Sequence, residues 1–176
     1  MSQIERVASN TPWEPIFGYV RKVKAGNWLA ISGTTATDER GMIVGGGQMY
    51  VQARQALANL QHHIESAGFS LADVIRTRVF VTDIARFAEV ARAHKEVFGE
   101  HPPASTLVEV RRLVHPDMLI EVEVDAYRID AVEPASVAMT TPAAKPVTQV
   151  KKAAPAPKTP SRAPAKAKAA KPKRRK

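Results

Sequence analysis

The chain has 176 residues and no cysteine. That absence removes disulfides, thiolate metal ligands and a Cys nucleophile together. Long hydrophobic runs are missing as well. No stretch reaches the ~18 continuous apolar residues of a membrane span, and the opening MSQIERVASN lacks the apolar centre of a secretion signal. A soluble, cytoplasmic protein with no membrane partner is the expectation. The five histidines (His62, His63, His94, His101 and His115) show no metal spacing such as H-E-x-x-H, so no metal site is expected.

The last quarter lacks something different. From Glu133 to Lys176 there is no Leu, Ile, Phe, Tyr, Trp or Gly and a single acidic residue, against eight Pro, 12 Ala and 12 Lys or Arg. Such a segment cannot offset the ~1–2 kcal/mol per residue lost when backbone is ordered. Prolines at 155, 157, 160, 164 and 172 also interrupt any Ala/Lys helix. The formal charge of +9 therefore divides into +11 for residues 133–176 and −2 for residues 1–132. The expected organisation is a globular domain over 1–132 and a disordered basic tail over 133–176. Cations on a flexible chain release counterions when they meet a phosphate polymer. Lys151, Lys152, Lys166, Lys168, Lys171, Lys173, Arg174, Arg175 and Lys176 are thus candidate polyanion-binding residues, with nucleic acid or another polyanion as the partner and nucleoid association as one consequence; the other reading is a solubilising appendage without a partner. Without an aromatic side chain the tail offers no stacking platform for reading bases.

Residues 1–132 carry the patterns of a folded domain. Tyr19–Lys24 and Trp28–Thr34 read as strands joined at the turn pair Gly26-Asn27. Ala53, Leu57, Leu60 and Ile64 form one apolar stripe of a helix over 48–67, which Gly68 stops. Val74–Thr82 alternates as a strand, with Ile75, Thr77, Val79 and Val81 on one side. Asp83 is the expected N-cap of a second helix, whose stripe is Phe87, Val90, His94 and Val97, ended by Gly99 and Pro102-Pro103. Strands over Leu107–Leu113 and Met118–Ile129 follow. The order ββαβαββ points to an α+β domain, one mixed sheet with two helices on one face. The GGG at 45–47 lacks the Lys-Ser/Thr of a phosphate loop and reads as a flexible loop.

Several blocks in this order resemble the RidA/YjgF family: Tyr19 with AGNWLAISG, then QARQALANLQHHIESAG, SLADVIRTRVFVTDIARFAEV, VFGEHPPA before VEV, and LIEVEVDA. They span about residues 15–127. The resemblance implies a chorismate-mutase-like fold, a homotrimer with a cleft at each subunit interface, and hydrolysis of reactive 2-imino acids without metal or cofactor. It implies a catalytic Glu121 that positions water, with Tyr19, Ser32 and Gly33 contributing to substrate binding. It also places Ser105 where catalytic members carry a carboxylate-binding Arg, and Ala91 where they carry an Asn. Arg111 lies six residues beyond Ser105, ~20 Å along a strand, and Arg92 is rotated by ~100° from Ala91 on a helix. Neither replaces the missing group.

Read from their pattern, Glu121 and Glu123 share one strand face, and that face is by default a solvated one. The resemblance moves Glu121, and not Glu123, towards function. Tyr19 fits a rim residue or a site residue equally. Ser105 fits a small strand residue better than a pocket hydroxyl, and it has no assigned base that would make it a nucleophile. His94 reads as a packed, hydrogen-bonded group, and Arg76 with Arg78 as salt-bridge formers. The implied function is a deaminase-like hydrolase of a small reactive imine or enamine. The alternative is a non-catalytic trimeric module that binds a metabolite in its cleft and a polyanion through its tail.

Overall fold

Strand β2 (Lys22–Ala25) turns into β3 (Trp28–Thr35) through the expected pair: Ala25 faces Trp28, and Gly26 takes a φ of 59°. A side chain would strain that turn, and glycine removes the strain. The structure is a computed structural model that describes residues 4–129. The basic segment expected over 133–176 lies outside the described residues.

Helix α2 (Met49–Ser66) buries the whole predicted stripe of Ala53, Leu57, Leu60 and Ile64. It ends at Gly68, whose left-handed φ of 82° lets the Phe69 N–H reach back to the Ile64 carbonyl. Strand β4 (Val74–Val81), helix α3 (Phe87–Phe98), β5 (Ala104–Glu109) and β6 (Ile120–Tyr127) complete the domain. Two elements precede the hairpin that the sequence pattern does not announce: β1 (Ile4–Val7), paired antiparallel to β2, and the short α1 (Trp13–Phe17).

The sheet order is β1-β2-β3-β6-β4-β5. Every pairing is antiparallel except β4 with β5, which α3 connects as a parallel crossover. The result is the expected α+β architecture, a mixed sheet with two helices on one face. On that face Leu29, Ile31, Val79, Val81, Ile120, Val122, Val124 and Ala126 pack against Leu57, Leu60, Ile64, Val90 and Phe98 of the helices. Strict alternation in β6 sends Glu121, Glu123 and Asp125 to the other face.

Four expectations need correction. In β4 it is Val74 that is buried and Ile75 that is 42% exposed, because an irregularity against β6 between Val74 and Arg76 reverses the phase. Phe87 is 56% exposed, and Val90, Ala93 and Phe98 carry the buried side of α3. Asp83 caps a short helical turn at Ile84–Arg86, accepting from the Ala85 N–H at 3.0 Å, and α3 starts only after it. The fifth strand occupies Ala104–Glu109 instead of 107–113, which leaves Arg111 beyond its end and exposed.

Candidate active site

The site begins with a fault in the sheet. β3 pairs with β6 at Ile31–Val124 and again at Thr34–Val122, so β3 carries one extra residue between those points. This bulge contains Ser32 and Gly33. The Ser32 hydroxyl donates to the Val20 carbonyl at 2.8 Å and its N–H donates to the Arg21 carbonyl at 3.0 Å. Both bonds tie the bulge to the segment that leads into β2.

At Gly33 a side chain would have to push Glu121 aside. A Cβ there would overlap the carboxylate of Glu121, which lies across the glycine. Glu121 is half-buried and accepts no hydrogen bond from any protein group among the described residues. Burial, the main cause, lifts its pKa above the ordinary value; the positive charge of Arg21 opposes this and the negative charge of Glu123 adds to it. Glu123 itself is engaged. Arg78 donates to Glu123 and to Asp125, each at 2.9 Å, in a two-pronged ion pair on the same face.

Arg21 is the group that sequence reasoning missed. It is only 8% exposed. Its Nη1 donates to the carbonyls of Gly33 at 2.6 Å and Ser32 at 3.3 Å and to the Thr34 hydroxyl at 3.2 Å. Nε donates to the Ser9 hydroxyl at 3.3 Å, and Nη2 stands 3.5 Å from the hydroxyl of Tyr19. Ser9 in turn donates to the buried Glu14, which also receives the backbone N–H groups of Ser9 and Asn10. Burial pushes the Glu14 carboxyl up, but these bonds and the charge of Arg21 outweigh it and hold the pKa low. The available signal was spacing: Arg21 stands two residues after Tyr19, so in an extended segment both face one way. Tyr19 also lines an open recess of about 550 Å³ together with Asn10, Thr11, Glu14 and Pro15.

Ser105 sits elsewhere. It pairs with Thr77 across the parallel β4–β5 ladder, on the helix side of the sheet. Thr77 is fully buried; it donates to the Ser105 hydroxyl at 2.8 Å, and its oxygen lies 3.0 Å from Nε2 of His94. His94 rests on Phe98 with ring centroids 4.8 Å apart, and burial lowers its pKa, as a packed neutral imidazole requires. The structure therefore brings Tyr19, Ser32, Gly33 and Glu121 together on one face. It leaves Ser105 on the other. Arg92 lies over the ring of Tyr50 and pairs with Glu96 at 3.0 Å, away from both.

The arrangement can hold water. An unengaged carboxylate with a raised pKa is a ready acceptor for a proton, and the nearby cation of Arg21 opposes that rise. Among the described residues no three His, Asp or Glu side chains gather as metal ligands, and no helix is long and apolar enough to cross a membrane.

Comparison with known proteins adds to this geometry. The family model described as Endoribonuclease L-PSP matches residues 9–128. A RutC family protein of Pyrococcus horikoshii is 41% identical over 119 residues, covering 68% of this chain and 93% of the relative. The 2-iminobutanoate/2-iminopropanoate deaminase of Escherichia coli K12 is 37% identical over 113 residues, 62% of this chain and 87% of that enzyme. Among solved structures, a YjgF-family protein from Mycobacterium tuberculosis superposes with a TM-score of 0.65 at 37% identity, covering 72% of this chain and all of that one.

Proposed function

The chain belongs to the Endoribonuclease L-PSP family, the RidA/YjgF group, and from that premise we propose that it is a deaminase-like hydrolase of a small imine or enamine metabolite. The observation that carries the reading is the Glu121 carboxylate, half-buried, without a protein donor among the described residues, and laid across Gly33. Water held by that carboxylate attacks the imine carbon as its proton passes to Glu121, and the C=N electron pair moves to nitrogen. Glu121 returns the proton to the nitrogen, giving the carbinolamine; it then takes the proton of the new hydroxyl and passes it to the amino nitrogen, so that the C–N bond breaks as C=O forms and ammonia leaves. Nothing in this sequence needs a cofactor. Tyr19, Ser32 and Gly33 frame the substrate. That the family's relatives include a deaminase of 2-imino acids supports this class of reaction.

The active form in this reading is a homotrimer with its cleft between subunits. The opposed directions of Ser105 and Glu121 within one chain support it, since only a neighbouring copy can bring a residue-105 side chain to the face of Glu121. Ser105 then contributes a hydroxyl where an anion clamp would stand, which predicts weak turnover of simple 2-imino acids. RNA cleavage finds no support in this site, because the adjacent carboxylate, Glu123, is held by Arg78.

A second reading takes its support from the charge of +11 over residues 133–176. A cytoplasmic trimer carrying three such tails would bind nucleic acid by effective concentration while its cleft senses a metabolite. One experiment separates the two. With 2-iminopropanoate generated in situ, Glu121→Ala is expected to lose at least ~10²-fold of the hydrolytic rate, and Ser105→Arg to gain. A rate untouched by Glu121→Ala removes Glu121 from the mechanism, and no hydrolysis by the wild type leaves the sensor.

A further inference from the structure

We propose that Arg21 is the positioning residue of this site, pinning the Ser32–Gly33 bulge under Glu121 and placing its guanidinium charge behind that carboxylate. The inference rests on Glu121 being the working group, and it starts from how Arg21 is held. A guanidinium this buried needs a reason, and five acceptors surround it: two bulge carbonyls and the hydroxyls of Thr34, Ser9 and Tyr19. None is a carboxylate. Its positive charge is therefore not cancelled by a direct ion pair among the described residues.

That charge is felt by three titratable groups, His63 of α2, Glu14 and Glu121. Glu14 lies behind it, separated by the Ser9 hydroxyl. Glu121 lies ahead, separated by the backbone of Gly33, whose carbonyl Arg21 binds at 2.6 Å. Among the described residues, the other charged groups on the face of Glu121 are Glu123, on its own strand, and Arg78 of β4, which spends its two terminal nitrogens on Glu123 and Asp125. Among the described residues, Arg21 is thus the cation left to act on Glu121. Burial favours the protonated acid and Arg21 opposes it. The same guanidinium fixes the two carbonyls of the bulge, so the surface beneath the carboxylate and its charge state are set by one side chain.

The test is NMR on the full-length protein. The Glu121 side-chain carbonyl resonance is followed against pH in wild type, Arg21→Lys and Arg21→Gln. Loss of a nearby cation moves the midpoint of Glu121 to higher pH in Arg21→Gln, while Arg21→Lys, which keeps the charge, stays nearer wild type. The acid limb of any hydrolytic pH profile moves with it. Should Arg21→Gln fail to fold, the wild type still answers: the Arg21 Nε–H resonance must titrate with the midpoint of Glu121 and lose that titration in Glu121→Gln. A midpoint unchanged in Arg21→Gln, or an Arg21 signal blind to Glu121, overturns the proposal. Neither readout depends on turnover, so failure of the hydrolase reading would leave these results standing.

Discussion

Glu121 lies across the α-carbon of Gly33, one strand away, so closely that a methyl group and the carboxylate cannot share the space. The two residues meet because β3 gains a residue between its pairings with Val124 and Val122, which presents the bulge to the base of the glutamate. Gly33 does not have a positive φ. Its requirement is room, not backbone freedom.

Gly33→Ala therefore tests the contact by itself. The added methyl displaces the carboxylate while the backbone remains allowed. A displacement of about 1 Å at a reacting group can cost ~10²-fold in rate, and a loss of this order is expected for imine hydrolysis. The thermal midpoint should fall little, because Glu121 can swing outward. An unaltered rate would mean that the carboxylate works from another position or not at all.

His63 contributes to the loss of stability in acid. Burial foremost, then the charges of Arg21, His62 and Lys22, lower its pKa from 6.5 to about 4. A folded-state pKa below the unfolded one means that the unfolded chain takes up the proton first. The stability from a neutral His63 is present above pH 6.5 and drains away as pH falls towards 4. Thermal midpoints of wild type and His63→Asn at pH 7 and pH 4.5 measure this. The variant should lose less on acidification, and parallel losses would refute the assignment.

The basic segment makes its own prediction. Full-length protein should bind duplex DNA with a steep salt dependence, each neutralised phosphate adding about 0.9 to the logarithmic slope. A chain ending at residue 132 has a net charge of −2 and should bind weakly with little slope. Equal affinity for both would take nucleic acid out of the account.

What the sequence disclosed and what it hid follow from the range of the forces involved. The α2 stripe, the Gly26-Asn27 turn and the alternation of β6 are local patterns, and each is where periodicity and turn chemistry put it. β5 slipped by three residues because Ala104, Ser105 and Thr106 carry no apolar alternation; they are strand through their ladder to Arg76, Thr77 and Arg78 of β4. β1 and α1 were silent for a similar reason. IERV is strand because β2 lies beside it, and WEPIF is helical for five residues around the Glu14 clamp. At the site, Glu121, Gly33, Ser32 and Tyr19 came from ordered motifs. Arg21 did not, since nothing local marks a buried arginine whose acceptors are carbonyls of the following strand. The opposed faces of Ser105 and Glu121 depended on a pairing between β4 and β5 that no single strand contains.

The placement of β6 sets the order in which this domain can be made. Its last strand in sequence is a central one in space: Leu29 pairs with Ala126, and Val79 with Val122. Without Ile120–Tyr127 the β1–β2–β3 meander and the β4–β5 pair have no ladder between them. Contacts so distant along the chain are slow to form. The strand that carries Glu121 is therefore the one that closes the sheet, and a nascent chain shorter than that holds neither a continuous core nor a site.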